Sequence, residues 1–181
     1  MNHHHSNRQR PSHRPHRTIR QRLLTHPVTI TLAVLGVAVV ALVALVSVSG
    51  NPSLSDGSTV TVKVDRSTVT VPVAASLASQ AKGLSGTPSI TDEQGLLFVF
   101  ERSELQEFWM KGLTYPIDII WIDQETVSEV TPNVQPAEPN TADEALPRYR
   151  PQFPVNRVLE VPAGWAARHN IQPGDPVRIS G

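Results

Sequence analysis

The sequence predicts a mainly β domain of the α+β class, a small antiparallel barrel-like unit with short helices, preceded by one transmembrane helix. Three observations predict it. Valines alternate with polar residues at 60–64 and again at 69–73, on either side of a short polar turn, and a period of two marks half-buried strands. Later apolar runs are short and separated by turn formers, with no long stretch of helical periodicity. Residues 28–48 are 21 consecutive uncharged positions, almost all Val, Leu, Ala, Ile or Gly.

The elements follow in order. Residues 1–27 hold six arginines, six histidines and no acid, and read as a disordered Arg/His-rich cytoplasmic tail. A run of about 20 apolar residues matches a hydrocarbon core of about 30 Å, and only a helix satisfies its own backbone there. Residues 28–48 are therefore expected to be the membrane span. Positive charge before it orients the N-terminus to the cytoplasm and the rest of the chain outside. Ser47-Val48-Ser49 would suit a signal peptidase, but the apolar run is longer than the roughly 7–15 residues usual in a cleaved leader. Residues 49–58 form a turn-rich linker, and residues 59–181 the β-rich extracytoplasmic domain.

Within that domain the two valine runs form a hairpin around Asp65-Arg66-Ser67. Residues 74–83 place Leu77, Ala81 and Leu84 on one helical stripe, with Gly83 as the stop. Residues 95–100 suit a buried strand. Residues 117–123 and 126–130 suit a strand pair turning at 123–125. Six prolines between 131 and 154 exclude regular structure over most of that segment. Residues 157–161 form a strand and 163–170 a short helix, and Pro173-Gly174-Asp175-Pro176 leads into a last strand at 177–179.

Charge and composition narrow the function. Residues 28–181 carry ten basic and sixteen acidic side chains, a net of −6. The basic tail lies beside the membrane span, where attraction to anionic lipid explains it at about 1 kcal/mol per arginine. No nucleic-acid partner is expected. The expected partners are membrane lipids, through 28–48 and the tail, and an envelope protein or small ligand. Cysteine is absent, which excludes disulfides, thiol catalysis and thiolate metal sites. No phosphate loop, nucleophile elbow, His-Glu-x-x-His or dinucleotide fingerprint is present, so neither cofactor nor metal is expected. Glu101, Glu104 and Glu107 would share one face if helical, an arrangement more often solvated than metal-binding.

Several segments together resemble the domain of unknown function 192 family: Gly95-Leu96-Leu97-Phe98-Val99-Phe100, Phe108-Trp109-Met110-Lys111, Pro116-Ile117-Asp118-Ile119-Ile120, Val158-Leu159-Glu160-Val161 with Ala163-Gly164, and Ile171-Gln172-Pro173-Gly174-Asp175. They occur in the family's order across residues 60–180. The resemblance implies a β-rich, barrel-like domain, often exported or membrane-anchored, with no established reaction. Family members often carry Arg-Gly-Leu-Met followed by a further Arg, where this chain has Lys82-Gly83-Leu84-Ser85-Gly86-Thr87-Pro88.

Trp109, Met110, Lys111 and Asp118 are the candidate ligand-binding residues. An aromatic ring and a thioether supply apolar contact, and the Lys111 ammonium would hold an anionic or carbonyl group. Asp118 lies between isoleucines on one strand face and needs a partner. It either lines a groove with Lys111 or accepts backbone amides, for instance from residues 111–115. His169, beside Arg168 near a helix end, is explained by the helix dipole, and Trp165 by a place in the core. The expected function is an interaction or ligand-binding module at the cell envelope. The alternative is an envelope hydrolase or isomerase using Asp118 and Lys111, with His169 a further candidate.

Overall fold

A computed structural model describes residues 54–181. The tail and the membrane span expected at 28–48 lie outside the described residues. Among the described residues no helix is long and apolar enough to cross a membrane.

The valine hairpin forms where its alternation places it. Strand β1 (Thr59–Val64) pairs antiparallel with β2 (Ser67–Ala74), Val62 opposite Val69 and Val60 opposite Val71. Asp65 turns the chain with φ 49°, a left-handed conformation that Asp tolerates. The fold begins before β1. Gly57 N–H donates to the Val73 carbonyl at 2.9 Å, and Asp56 Oδ1 accepts from the amides of Ala75 and Ser76 at 2.9 and 3.0 Å. The Ser79 hydroxyl, the amides of Ser76 and Ala75 and the Ser76 hydroxyl hold the Asp56 carboxyl well below the usual carboxylate range. The end of the expected linker is thereby tied to the start of helix α1 (Leu77–Lys82), whose N-cap is Ser76.

Helix α1 is shorter than the 74–83 expected, and its apolar stripe is not a core face. Leu84 is buried, yet Leu77 is 86% exposed and no residue of the helix is buried. Leu77→Ser is therefore expected to change the unfolding free energy by no more than about 0.5 kcal/mol. Leu84→Ala should cost about 2–5 kcal/mol, and urea melts of the two variants give the comparison.

Helix α1 is the crossover to β3 (Leu96–Glu104), which lies parallel to β2. Every other pairing is antiparallel. β4 (Ile117–Asp123) pairs with β5 (Thr126–Val134) and with β6 (Val155–Pro162), β6 also pairs with β3, and β7 (Val177–Ser180) pairs with β1. Helix α2 is one turn, Trp165–Arg168. The strand order is β5-β4-β6-β3-β2-β1-β7. β3 continues to Glu104, so Glu101 and Glu104 stand on an exposed strand extension rather than a helix. β5 runs past Pro132, where the prolines were expected to forbid regular structure. It is an edge strand, where a missing N–H breaks no ladder.

The seven-stranded sheet curls into a half-barrel. At one end its edges meet: Val127 N–H donates to the Asp175 carbonyl at 2.9 Å, and Val177 N–H to that of Glu125 at 2.7 Å. Inside the curl, Val62, Val71, Leu97, Ile120, Ile122, Leu159 and Val177 pack with Trp165, which plugs the core as expected. The outer face of β3, β4 and β6 is apolar too. Leu96, Phe98, Ile117, Ile119, Trp121 and Val158 are covered there by Leu84, Phe108, Met110 and Leu113 from two loops. β4 is thus buried on both faces. That explains its nearly continuous isoleucines and leaves its one buried acid, Asp118, in need of partners.

Candidate functional site

Asp118 finds those partners in the backbone. It is fully buried. Its Oδ1 accepts from the amides of Asn133 at 2.8 Å and Gly164 at 3.0 Å, and Oδ2 from that of Ala166 at 2.8 Å. Gly164 is the N-cap of α2, so one carboxylate holds the first turn of that helix and the end of β5 onto β4. The donors come from 133, 164 and 166 rather than from 111–115. His169 also has partners elsewhere, with Nδ1 3.0 Å from Ser67 Oγ and its ring 4.3 Å from that of Trp165. The structure does not bring Asp118, Lys111 and His169 to a shared point.

Trp109, Met110 and Lys111 lie together on the outer side. The 108–113 loop is tied down at both ends. Phe108 and Tyr149 exchange two main-chain hydrogen bonds of 2.9 Å, and Gly86 N–H donates to the Gly112 carbonyl at 3.2 Å. Gly112 has φ +71° and lies against Ser85, leaving no room for a side chain. Phe108 anchors the loop by edge contacts with Phe98 at 4.8 Å and Trp121 at 5.4 Å. Met110 is buried, and Trp109 is half-buried under the Arg148 guanidinium, 4.0 Å from its ring centre. Lys111 is exposed, pairs with Asp143, and its Nζ lies 5.3 Å from the Trp109 centroid. Glu107 accepts from Arg150 Nε at 2.7 Å.

Two cavities adjoin this loop. The larger is an open groove of about 710 Å³ between residues 110–114 and the proline-rich residues 135–146. Buried Met110, Leu113 and Leu146 supply its apolar lining, and the Lys111–Asp143 ion pair joins its two walls. The smaller, about 100 Å³, lies behind Trp109, against Phe98, Phe100, Phe108 and Glu160. Asp118 lines neither.

Glu160 is the residue that sequence reasoning passed over. It sits on the outer face of β6, opposite Leu96 of β3 and Ile119 of β4, and is 4% exposed. Among the described residues its Oε2 has no hydrogen-bond partner. Burial pushes its carboxyl up to about 8, because a charge without a partner is costly in an apolar surround. The Tyr115 phenol is pushed up as well, first by its own burial and then by the charge of Glu160. A Cβ on Gly95 would stand 2.3 Å from the Glu160 carbonyl, so Gly95 lets the chain pass tightly over this point. The signal was present in the sequence as an acid inside Val158-Leu159-Glu160-Val161. It is the same signal that drew attention to Asp118.

Among the described residues no group of three His, Asp or Glu side chains could hold a metal ion. The family model described as "Uncharacterized ACR", domain of unknown function 192, matches residues 59–179. The chain belongs to this family. A solved structure similar to this member of the family comes from Novosphingobium aromaticivorans DSM 12444, a protein of unknown function. It is 30% identical, with TM-score 0.56, over 66% of this chain and 83% of that one. A second, from Sinorhizobium meliloti 1021 and described as a "putative transcription regulator", is 23% identical. Its TM-score is 0.61, over 68% of this chain and 95% of that one, a likeness of fold alone. No curated protein matches the chain.

Proposed function

We propose that this chain is a single-pass membrane protein, N-terminus cytoplasmic, whose extracytoplasmic domain binds a small carboxylate- or carbonyl-bearing molecule in the groove beside Met110 and Lys111, with Trp109 outside its lining. The observation that carries the binding reading is the groove of about 710 Å³ beside Met110 and Lys111. Its size falls in the range of small-molecule sites, and such sites combine apolar walls with a few placed polar groups. Lys111 is the cationic group of the lining, Met110 and Leu113 are its apolar floor, and Asp143 holds the ammonium until a ligand replaces it. Asp118 supports the fold beneath. The membrane reading rests on the 21 uncharged residues at 28–48 and the six arginines before them.

Both parts can be tested separately. A thermal-shift and NMR screen of small carboxylates and amides should yield ligands that Lys111→Ala weakens at least about tenfold, the scale of a lost charged hydrogen bond. Asp143→Ala should tighten the same ligands several-fold by removing the internal competitor. A screen without hits, or hits indifferent to both substitutions, would sink the groove reading. For topology, the absence of native cysteine makes single replacements clean. In intact cells an impermeant maleimide should label Ser53→Cys and not Ser6→Cys. The reverse pattern would overturn the orientation.

A further inference from the structure

We propose that the cavity behind Trp109 is a second binding site, built for a small primary alkylammonium ion held by the Glu160 carboxylate and aromatic walls. This goes beyond the groove reading. The cavity shares Lys111 and Leu113 with the groove but none of the proline-rich segment.

The carboxyl is the first argument. Glu160 lines the cavity, is 4% exposed, and its Oε2 is buried without a partner among the described residues. Buried side-chain oxygens are as a rule satisfied, and an exception calls for a reason. The fold supplies none, because Glu160 holds no helix end or turn of the kind Asp118 holds. Nor can a nearby cation serve. Lys111 is engaged by Asp143, the Arg148 guanidinium stacks on Trp109, and Arg150 pairs with Glu107. Lys82 lies exposed at the cavity's edge.

The walls are the second argument. Phe98, Phe100, Phe108 and Trp109 line the space together with the acid. Ring faces carry negative potential and attract cations, most strongly where water is excluded. An anion would be repelled by the carboxylate, so the ligand is positive. It must also donate a hydrogen bond to Oε2, which a primary ammonium does and a quaternary one does not. About 100 Å³ is smaller than the roughly 150 Å³ cavity that admits benzene, which limits the ligand to a few carbons.

Binding must displace a proton when the carboxyl titrates near 8. The other titratable groups lining the space are Glu107, Lys82 and Lys111, with Tyr115 within electrostatic reach of Glu160. The leucine and isoleucine opposite Glu160 on β3 and β4 do not titrate.

The test uses the purified full chain and n-propylammonium chloride, with 1-propanol and potassium chloride as controls, followed at the Trp109 indole N–H by NMR. We expect saturable binding at pH 8, at least tenfold tighter than propanol. Affinity should rise roughly fivefold to tenfold from pH 7 to pH 9 as the carboxyl ionises. Glu160→Gln, which keeps the shape, should weaken binding at least tenfold and abolish the pH dependence. Equal binding of propanol would show an apolar cavity only and overturn the proposal. So would affinity indifferent to pH, or no binding at all. Because the wild-type pH series stands without the variant, a misfolded Glu160→Gln does not rescue the idea. Failure of the groove reading appears separately, in carboxylate ligands that ignore Lys111→Ala and Asp143→Ala.

Discussion

Replacing Asp118 with alanine should lower the unfolding free energy by about 3–5 kcal/mol, among the largest single-residue effects in this domain. The substitution strands the amides of Asn133, Gly164 and Ala166, all bonded to the carboxylate at 2.8–3.0 Å. Each buried donor left without an acceptor costs about 1–3 kcal/mol, and partial relaxation keeps the total below the sum. Asp118→Asn separates charge from shape. Its amide oxygen can still serve Asn133 and Gly164, but its NH2 then faces the Ala166 N–H, donor against donor, for a loss of about 1–3 kcal/mol. Urea denaturation followed by far-UV circular dichroism measures both. A loss below about 1 kcal/mol for Asp118→Ala would mean that the amides pair elsewhere. The carboxylate would then be free for work other than holding α2 and β5 together.

Asp118 also shows how far the sequence could be read. That an acid between isoleucines must be partnered follows from the strand alternation alone, and Ile117, Ile119 and Trp121 do face away from Ile120 and Ile122. Which amides partner it does not follow, because Gly164 and Ala166 are brought there by the pairing of β6 with β4, a long-range contact. The valine hairpin was legible because both strands bury one face locally. The parallel β2–β3 pair was not, since nothing in a short apolar run states its direction. Leu77 misled because a six-residue helix has too few positions for a period of 3.6 to be tested. Pro132 misled because the effect of a proline on a strand depends on whether that strand lies at an edge, a property of the whole sheet. Trp109, Met110 and Lys111 do lie together on one loop. The groove beside them depends on where residues 135–146 return, which proline content leaves open.

The second large effect concerns pH. Burial raises the Glu160 carboxyl from 4.5 to about 8 in the folded chain, while in the unfolded chain it titrates near the ordinary value. Between those limits the native state holds a proton that the unfolded state has lost. Stability must therefore fall as pH rises across that window, with a slope from this residue approaching 1.4 kcal/mol per pH unit. The contribution is fully present below about pH 4 and exhausted once pH passes the folded value. Glu160→Gln, neutral throughout, should flatten the decline and leave the variant more stable than the parent at pH 8.5, with little difference at pH 5. Urea midpoints at half-unit steps from pH 5 to 9 decide the matter. Parallel curves for parent and variant would mean that Glu160 is solvated or paired in solution. If the curves diverge as expected, saturating n-propylammonium offers a further check. By binding only the ionised folded form it should restore much of the stability lost above pH 7, and it should do nothing for Glu160→Gln. The same carboxyl then accounts for a stability cost in the free domain and for affinity in the bound one.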